Sequence, residues 1–136
     1  GAEHNITVEC RDELLLARVD AKLIIQVIIN LVDNAIKYTP AGSDIRITAE
    51  NIDGFVSVSV ADNGNGIPDH IKLRVFEMFY TGDNKIADSR RSLGLGLALC
   101  KSIIHAHGGE ITLTDNLPHG SIFTFTIPSG KVNINE

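Results

Sequence analysis

The sequence predicts an α+β fold, a two-layer sandwich in which three helices cover one face of a mixed, mainly antiparallel sheet. Two pairs of alternating apolar segments are each separated by turn residues, as in β-hairpins. Helical periodicity does not follow every strand, which disfavours a regular βαβ arrangement. The paired strand segments are 44–51, 55–61, 110–115 and 121–128, and the helical segments are 26–38, 69–78 and 94–106.

Composition predicts one domain over residues 1–136, because 43% apolar residues can form a single core at this length. The net charge of −5, without a Lys/Arg-rich run, argues against nucleic acid as a partner. Cys10 and Cys100 lack the neighbours of a zinc site or a disulfide framework, which fits a reducing cytoplasm. No apolar run approaches the roughly 20 residues of a membrane span, so we expect this fragment not to be membrane-bound.

The first elements are two short strands, Ile6–Cys10 and Leu14–Val19, and Asp20 then caps a helix. The helix has an apolar face and a polar face. The apolar face consists of Ile24, Val27, Ile28, Leu31 and Ala35, and the polar face consists of Gln26, Asn30, Asp33, Asn34 and Lys37. Asn oxygen can bind magnesium and Lys can bind phosphate, although an ordinary solvated face is the alternative.

The middle of the chain contains a hairpin, a short helix and a long polar segment. Asp53-Gly54 is a strong turn signal between the strands at 44–51 and 55–61. Pro68 is predicted as the first residue of a helix that extends over Asp69–Met78, with Ile71, Val75, Phe76 and Phe79 inward. Residues 80–93 are polar and lack periodicity, so we interpret them as a mobile lid. The helix at 94–106 and the second hairpin complete the chain.

The segment Asp62-Asn-Gly64-Asn-Gly66-Ile67 directly follows a predicted strand. A carboxylate at that position can accept a hydrogen bond from an exocyclic amino group such as that of adenine, and the glycines let the backbone approach a flat ligand. A simple glycine-rich turn is the alternative. A calcium loop is excluded, because Leu73 stands where its bidentate glutamate would be needed.

The segment Gly94-Leu95-Gly96-Leu97 opens a helix, and the free amides of a helix start suit a polyphosphate. Tight packing at the helix entry is the alternative. A dinucleotide fingerprint fails, because Leu99 holds its third small-residue position and a polar loop precedes it. A Walker pattern also fails, because no GK[ST] occurs.

In this order the segments resemble the ATP-binding domain of sensor histidine kinases, in the wider group that contains gyrase and MutL. The segment 30–38 resembles the N box, 62–67 the first glycine box, 75–80 the F box, 94–98 the second glycine box and 119–121 a short third one. The runs 88–102 and 115–121 further resemble potassium-responsive Kdp-type sensor kinases of bacteria. The resemblance implies the Bergerat-type fold, with ATP and Mg²⁺ as cofactors.

The resemblance also implies a role for individual residues. Asn34 would bind the magnesium ion with support from Asn30, and Lys37 would contact the phosphates. Asp62 would bind the adenine amino group, and Ser121 would share a water-linked contact with Asp62. The other implied nucleotide contacts are Tyr38, Gly64, Gly66, Ile67, Arg90, Arg91, Gly94, Leu95, Gly96 and Leu97.

Two departures from the family pattern bear on the reaction. Hydrolytic members carry a glutamate base at the position of Asn30, and an amide cannot accept a proton. Transfer to an external acceptor is therefore favoured over hydrolysis, although Asp33 is an untested substitute base. Ser92-Leu93 replaces the Gly and Thr of many relatives, which affects lid flexibility and one hydroxyl contact.

The resemblance therefore implies a catalytic domain that transfers the γ-phosphate of Mg-ATP to a histidine on a separate dimerisation domain, for onward transfer to a response regulator. None of the five histidines has the context of an acceptor helix, so this fragment should not phosphorylate itself. The family dimerises through a helical part that this fragment lacks, so the fragment should be monomeric. The parent kinase would be membrane-associated, with this domain in the cytoplasm. The alternatives are a nucleotide-sensing module without phosphotransfer and an anti-sigma-type serine kinase of the same fold.

Overall fold

The computed structural model describes residues 4–12, 17, 19–77 and 95–130, without the side chain of Leu95. Five strands form one sheet in the order β1-β2-β3-β5-β4. The β1–β2 pair is parallel and the other three pairs are antiparallel. The strands are β1 (Asn5–Cys10), β2 (Asp44–Ile52), β3 (Phe55–Asp62), β4 (Ile111–Asp115) and β5 (Ser121–Pro128), and the helices are α1 (Ala21–Lys37), α2 (Asp69–Lys72) and α3 (Leu95–Ala106). The α+β class and the mainly antiparallel sheet are confirmed.

The core lies between one face of the sheet and the pair α1 and α3. Across the central strands, Ile47, Val60 and Phe123 are aligned by the register and lie on the helix-covered side. Their neighbours Thr48, Ser59 and Thr124 alternate to the opposite face, where Ser59 Oγ and Thr124 Oγ1 are 3.0 Å apart. This alternation leaves one polar sheet face and one apolar face.

Helix α1 begins where the sequence predicts, because the Asp20 carboxylate accepts a hydrogen bond from the Leu23 N–H at 3.3 Å. Val27, Leu31 and Ala35 are buried against the sheet. Ile24 and Ile28 are half-buried beside them, so the predicted apolar face is confirmed. Lys37 is the last helical residue, and Pro40 follows shortly after.

The turns of both hairpins also agree with the sequence. Asp53 and Gly54 have φ values of 52° and 85°, the left-handed pair that a two-residue turn requires. The second hairpin joins β4 to β5, with Asp115 opposite Ser121. Its loop, residues 116–120, lies at the same end of the sheet as Asp62, because Ala61 at the end of β3 pairs with Ile122 at the start of β5.

The prediction for 69–78 is wrong in its length. Helix α2 covers only Asp69–Lys72, and Pro68 is its N-cap with ψ 148° rather than its first helical residue. The chain then continues in tight turns, which bury Val75 and place Phe76 edge-on to Phe123 at a centroid distance of 6.0 Å. These aromatic and apolar contacts with the core favour the turns over a continued helix.

Several predicted features fall on parts of the chain outside the described ranges. The lid at 80–93 and Phe79 lie wholly outside them. Of the predicted strand Leu14–Val19, Ala17 forms an isolated antiparallel bridge with Ser129. Among the helices that the structure describes, none combines the length and apolarity needed to cross a bilayer.

Candidate functional site

The carboxylate of Asp62 lies at the end of β3 and is 8% exposed. Its Oδ1 accepts hydrogen bonds from the backbone N–H groups of Gly64 at 2.9 Å and Ser121 at 3.2 Å. Within the described ranges, no donor is bonded to Oδ2. Two backbone amides therefore orient the carboxylate and leave one oxygen for a ligand.

Glycines allow the backbone to pack closely around this carboxylate. A Cβ on Gly120, whose φ is +119°, would stand 2.0 Å from the Asp62 carbonyl oxygen. Gly66 has φ +79°, and its Cβ would meet the Gly120 carbonyl oxygen at 3.3 Å. A Cβ on Gly64 would meet the Thr39 methyl group at 2.6 Å. The predicted first and third glycine boxes therefore form one packed unit against the end of α1.

Side chains hold the backbone carbonyls of the segment 62–67, which we call the purine loop after the adenine contact that the sequence predicts for it. Asn116 Nδ2 donates to the Asp62 carbonyl at 2.8 Å, and His119 Nδ1 is 3.0 Å from the Gly64 carbonyl. Lys72 Nζ donates to the Ile67 carbonyl at 2.9 Å. A carbonyl can only accept, so His119 Nδ1 carries a proton.

The ammonium of Lys72 also binds two carboxylates, Asp69 at 2.6 Å and Asp115 at 2.8 Å. The hydrogen bonds to Asp115 and Asp69 raise the pKa of Lys72 above its usual value. The hydrogen bond from Lys72 lowers the pKa of Asp69. Lys72 thus ties the end of the purine loop to the end of β4.

The polar face of α1 meets α3 at a buried thiol. Asn30 Nδ2 donates to Cys100 Sγ at 3.7 Å, and Gln26 Nε2 donates to Asn30 Oδ1 at 3.4 Å. Burial raises the pKa of Cys100 to about 11, because it disfavours the thiolate. These contacts hold the Asn30 side chain between α1 and α3. Burial, and not the bond from Asn30, keeps the thiol protonated at neutral pH.

The same contacts show how α3 runs relative to α1. His107, just after α3, accepts a hydrogen bond at Nε2 from the Asp20 N–H before α1. Cys100 contacts Asn30 in the middle of both helices, so the two helices are antiparallel. Asn34 is one turn after Asn30 and Gly96 is one turn before Cys100, so the start of α3 lies level with Asn34.

The structure thus brings two predicted segments, the purine loop and the start of α3, toward the C-terminal half of α1. Gly64 of the purine loop packs against Thr39, just after the end of α1, and the antiparallel arrangement places the first turn of α3 level with Asn34. Asn34 is half-buried, whereas Lys37 and Tyr38 are exposed. Ile67 and Leu97 are half-buried against the core. Arg90, Arg91 and Gly94, together with the side chain of Leu95, lie outside the described part of the chain.

The donor set at α1 fits a magnesium ion bound together with phosphate. Mg²⁺ prefers hard oxygen ligands and usually takes one or two from the protein, with water and substrate phosphates completing its shell. Asn34 carries a neutral amide oxygen and lies one helical turn after Asn30, whose side chain contacts Cys100 of α3. Lys37 follows three residues later and is exposed, so its ammonium can supply a positive charge beside the phosphates.

Four residues that shape this site were not predicted to do so. Thr39 packs against Gly64 and donates through its hydroxyl to the Ala35 carbonyl. His4 Nε2 is 3.0 Å from the same hydroxyl. Lys72 and Asn116 hold purine-loop carbonyls. The spacing of Asp69 and Lys72 could have revealed one ion pair, but no local pattern indicates a bond to a carbonyl distant in the sequence.

Comparison with known proteins gives a consistent family assignment. The family model described as histidine kinase-, DNA gyrase B-, and HSP90-like ATPase matches residues 19–131. The sensor protein KdpD of Clostridium acetobutylicum is 45% identical over 125 residues, which cover 92% of this chain and 14% of that protein. The chain therefore spans about a seventh of the length of this relative.

Solved histidine kinase structures agree with the fold. The catalytic domain of the histidine kinase ThkA is 37% identical with a TM-score of 0.79, covering 93% of this chain and 80% of that one. ThkA has also been solved in complex with the response regulator protein TrrA, with a TM-score of 0.75 at 36% identity, covering 92% of this chain and 34% of that one. Full-length ShkA in complex with AMPPNP is 31% identical with a TM-score of 0.81, covering 95% of this chain and 26% of that one.

Proposed function

We propose, since the chain belongs to the histidine kinase-, DNA gyrase B- and HSP90-like ATPase family, that it is the catalytic domain of a sensor histidine kinase. It binds Mg-ATP and presents the γ-phosphate to a histidine on a separate dimerisation domain. A response regulator then receives the phosphoryl group, as the ThkA complex with TrrA suggests for that relative. The KdpD similarity supports a Kdp-type sensor kinase of a bacterial membrane, with this domain on the cytoplasmic side.

The Asp62 carboxylate is the single observation that carries the nucleotide assignment. Two amides hold its Oδ1 and, within the described ranges, Oδ2 is left without a donor. An exocyclic amino group of adenine supplies the missing donor, and a buried carboxylate gains from that bond. The relative ShkA binds AMPPNP, an ATP analogue, which supports the same ligand class.

In the proposed complex the triphosphate extends from the purine loop along α1 toward the start of α3. Asn34 holds the magnesium ion, which would neutralise phosphate charge there, and Lys37 contacts the phosphate chain. The first-turn amides of α3 add donors and the positive end of the helix dipole. The domain works mainly by positioning the nucleotide and stabilising its charge, as is usual for phosphoryl transfer.

The structure describes Asn30 as an amide held by Gln26 and Cys100, which supports transfer to a protein acceptor over hydrolysis. An amide has no basic site for a water proton. We therefore propose that Asn30 supports Asn34 and organises the contact between α1 and α3. The ring nitrogen of the acceptor histidine is then the nucleophile, and Asn30 does not act as a base on it.

The reaction is tested by mixing this domain with γ-labelled ATP, Mg²⁺ and the dimerisation domain of the parent kinase. We expect label on the dimerisation domain that is labile in acid and stable in base, as for phosphohistidine. A dimerisation domain with its histidine changed to glutamine is the control and should stay unlabelled. Acid-stable label would instead indicate a serine kinase, and no label with intact ATP binding would indicate a sensing module.

Asn34→Ala should lower ATP affinity in Mg²⁺ by about tenfold or more, because the amide oxygen is the proposed protein ligand of the ion. Affinity without Mg²⁺ should change little. Titration calorimetry with and without the metal measures both values. Asn5→Ala, on the exposed edge strand β1, is the matched control and should bind like the parent chain. Equal losses with and without Mg²⁺ would contradict the metal assignment.

Gly96→Ala separates stability from phosphate binding. No described atom lies within 4 Å of the added Cβ, and alanine favours a helix over glycine by about 1 kcal/mol. The melting temperature should therefore stay the same or rise. ATP affinity should fall by about tenfold, because the methyl group stands where phosphate approaches the first-turn amides. Unchanged affinity would mean that phosphate does not approach α3 at Gly96.

A further inference from the structure

The loop between β4 and β5, residues 116–120, makes side-chain bonds to the purine loop that the nucleotide assignment itself does not require. Asn116 Nδ2 donates to the Asp62 carbonyl at 2.8 Å. His119 Nδ1 is bonded to the Gly64 carbonyl at 3.0 Å. Both side chains therefore bind the backbone on either side of Asn63, next to the carboxylate that would read the base.

We propose that His119 and Asn116 are positioning residues that set the purine selectivity of this domain. This inference rests on the proposed nucleotide binding and deepens it. The two residues need no contact with the base. They act by fixing the backbone that carries the Asp62 carboxylate.

The geometry explains why such fixing is needed. The Asp62 Oδ1 bond to Gly64 N–H and the His119 bond to the Gly64 carbonyl lie on the two sides of one residue. Gly64 has no side chain and contacts the Thr39 methyl group, so glycine freedom must be limited by its bonds. Releasing the carbonyl frees the φ and ψ angles of Gly64, which link that carbonyl to the preceding peptide group, whose N–H orients the carboxylate.

Asn116 fixes the backbone on the Asp62 side of Asn63. Its backbone N–H donates to the Gly120 carbonyl at 3.0 Å, and its Oδ1 accepts from Leu117 N–H at 2.9 Å. The residue is thus held within its own loop while its Nδ2 reaches the Asp62 carbonyl. The loop 116–120 is thus held by its own hydrogen bonds while it binds the purine loop.

Selectivity follows from the direction of the bond to the base. Adenine offers an amino donor to Asp62 Oδ2, whereas hypoxanthine offers a carbonyl oxygen that a carboxylate repels. A well-placed carboxylate therefore increases the affinity for ATP and does not increase the affinity for inosine triphosphate. Loosening the loop should weaken ATP binding alone.

The test compares dissociation constants of ATP and inosine triphosphate for the parent chain, His119→Ala and His119→Asn. We expect His119→Ala to bind ATP about three- to tenfold more weakly, with inosine triphosphate little changed, so that the ratio falls. His119→Asn should restore the ratio, because its Nδ2 occupies nearly the place of the imidazole Nδ1 donor. A purely structural role of the ring would not be rescued in this way.

Two further variants provide a control and a second, independent test of the positioning role. Thr124→Val removes one hydrogen bond on the polar sheet face, away from the loop, and should leave the ratio unchanged. Asn116→Asp keeps the oxygen that caps Leu117 and loses the donor to Asp62, so it should lower the ratio even if His119→Ala folds poorly.

The outcomes distinguish the two proposals. If the parent chain does not prefer ATP, the assignment of Asp62 to adenine fails and this inference fails with it. If the parent chain prefers ATP but His119→Ala and Asn116→Asp retain that preference, only the positioning role is overturned. A lowered ratio in both variants, with rescue by His119→Asn, supports the role.

Discussion

Asp62→Asn should reverse the purine preference of the domain. The asparagine Oδ1 can still accept from Gly64 and Ser121, so its Nδ2 takes the place of the carboxylate Oδ2. An NH₂ group there opposes the amino group of adenine, and ATP affinity should fall about 100-fold. Inosine triphosphate should bind more tightly than to the parent chain, because its carbonyl oxygen accepts from the new donor. Titration calorimetry with both nucleotides measures the reversal.

The matched control for this variant is Asp53→Asn. Asp53 lies in the first hairpin turn with φ 52°, a conformation that asparagine adopts as readily as aspartate. The substitution removes the same charge from the chain without changing the purine loop. An equal loss of ATP affinity in both variants would attribute the effect to net charge and refute the adenine contact.

Gly120→Ala should destabilise the fold strongly, by about 3 to 5 kcal/mol in the free energy of unfolding. The added Cβ would lie 2.0 Å from the Asp62 carbonyl oxygen and 2.9 Å from Asn63 Cα, which are backbone atoms that no side-chain rotation can move. The φ of +119° adds strain for any residue with a side chain. Denaturant unfolding followed by far-UV circular dichroism gives the change.

Gly54→Ala distinguishes the close contact from backbone strain. Gly54 also has a positive φ, +85°, but no described atom lies within 4 Å of its Cβ position. Its substitution should cost only about 1 kcal/mol. Equal losses at the two glycines would mean that the β3 and β5 ends do not pack as described.

The sequence predicts the polar face of α1 better than it predicts the contacts around Asp62. The polar face of α1 was predicted fully, because a helical period of 3.6 places Asn30, Asn34 and Lys37 on one side without tertiary information. The position of Asp62 at the end of a strand and before two glycines was also readable, because it is a local pattern, and its contact with adenine stays a prediction. What holds the Asp62 carboxylate was not readable, because Ser121 donates its bond from far along the chain.

The predicted length of α2 is wrong because contacts with residues far along the chain decide where this helix ends. Residues 69–78 carry a helical period, but Val75 and Phe76 gain more from the core and from Phe123 than from continuing the helix. Each helical hydrogen bond is local and contributes a similar, small amount to stability, so a few buried contacts decide where a short helix ends. Lys72 illustrates the point, since its bonds to Ile67 and Asp115 join segments that no period relates.

The sequence alone determined the fold class, both hairpin turns, the capped amphipathic helix and the residue types that can bind a nucleotide. These features depend on neighbours within about four residues, where periodicity and turn chemistry act. Tertiary structure alone decided that α1 and α3 are antiparallel, that Gly120 packs on Asp62, and that the β4–β5 loop holds the purine loop. Those arrangements arise from contacts between distant segments, whose free energy exists only when the whole core is assembled.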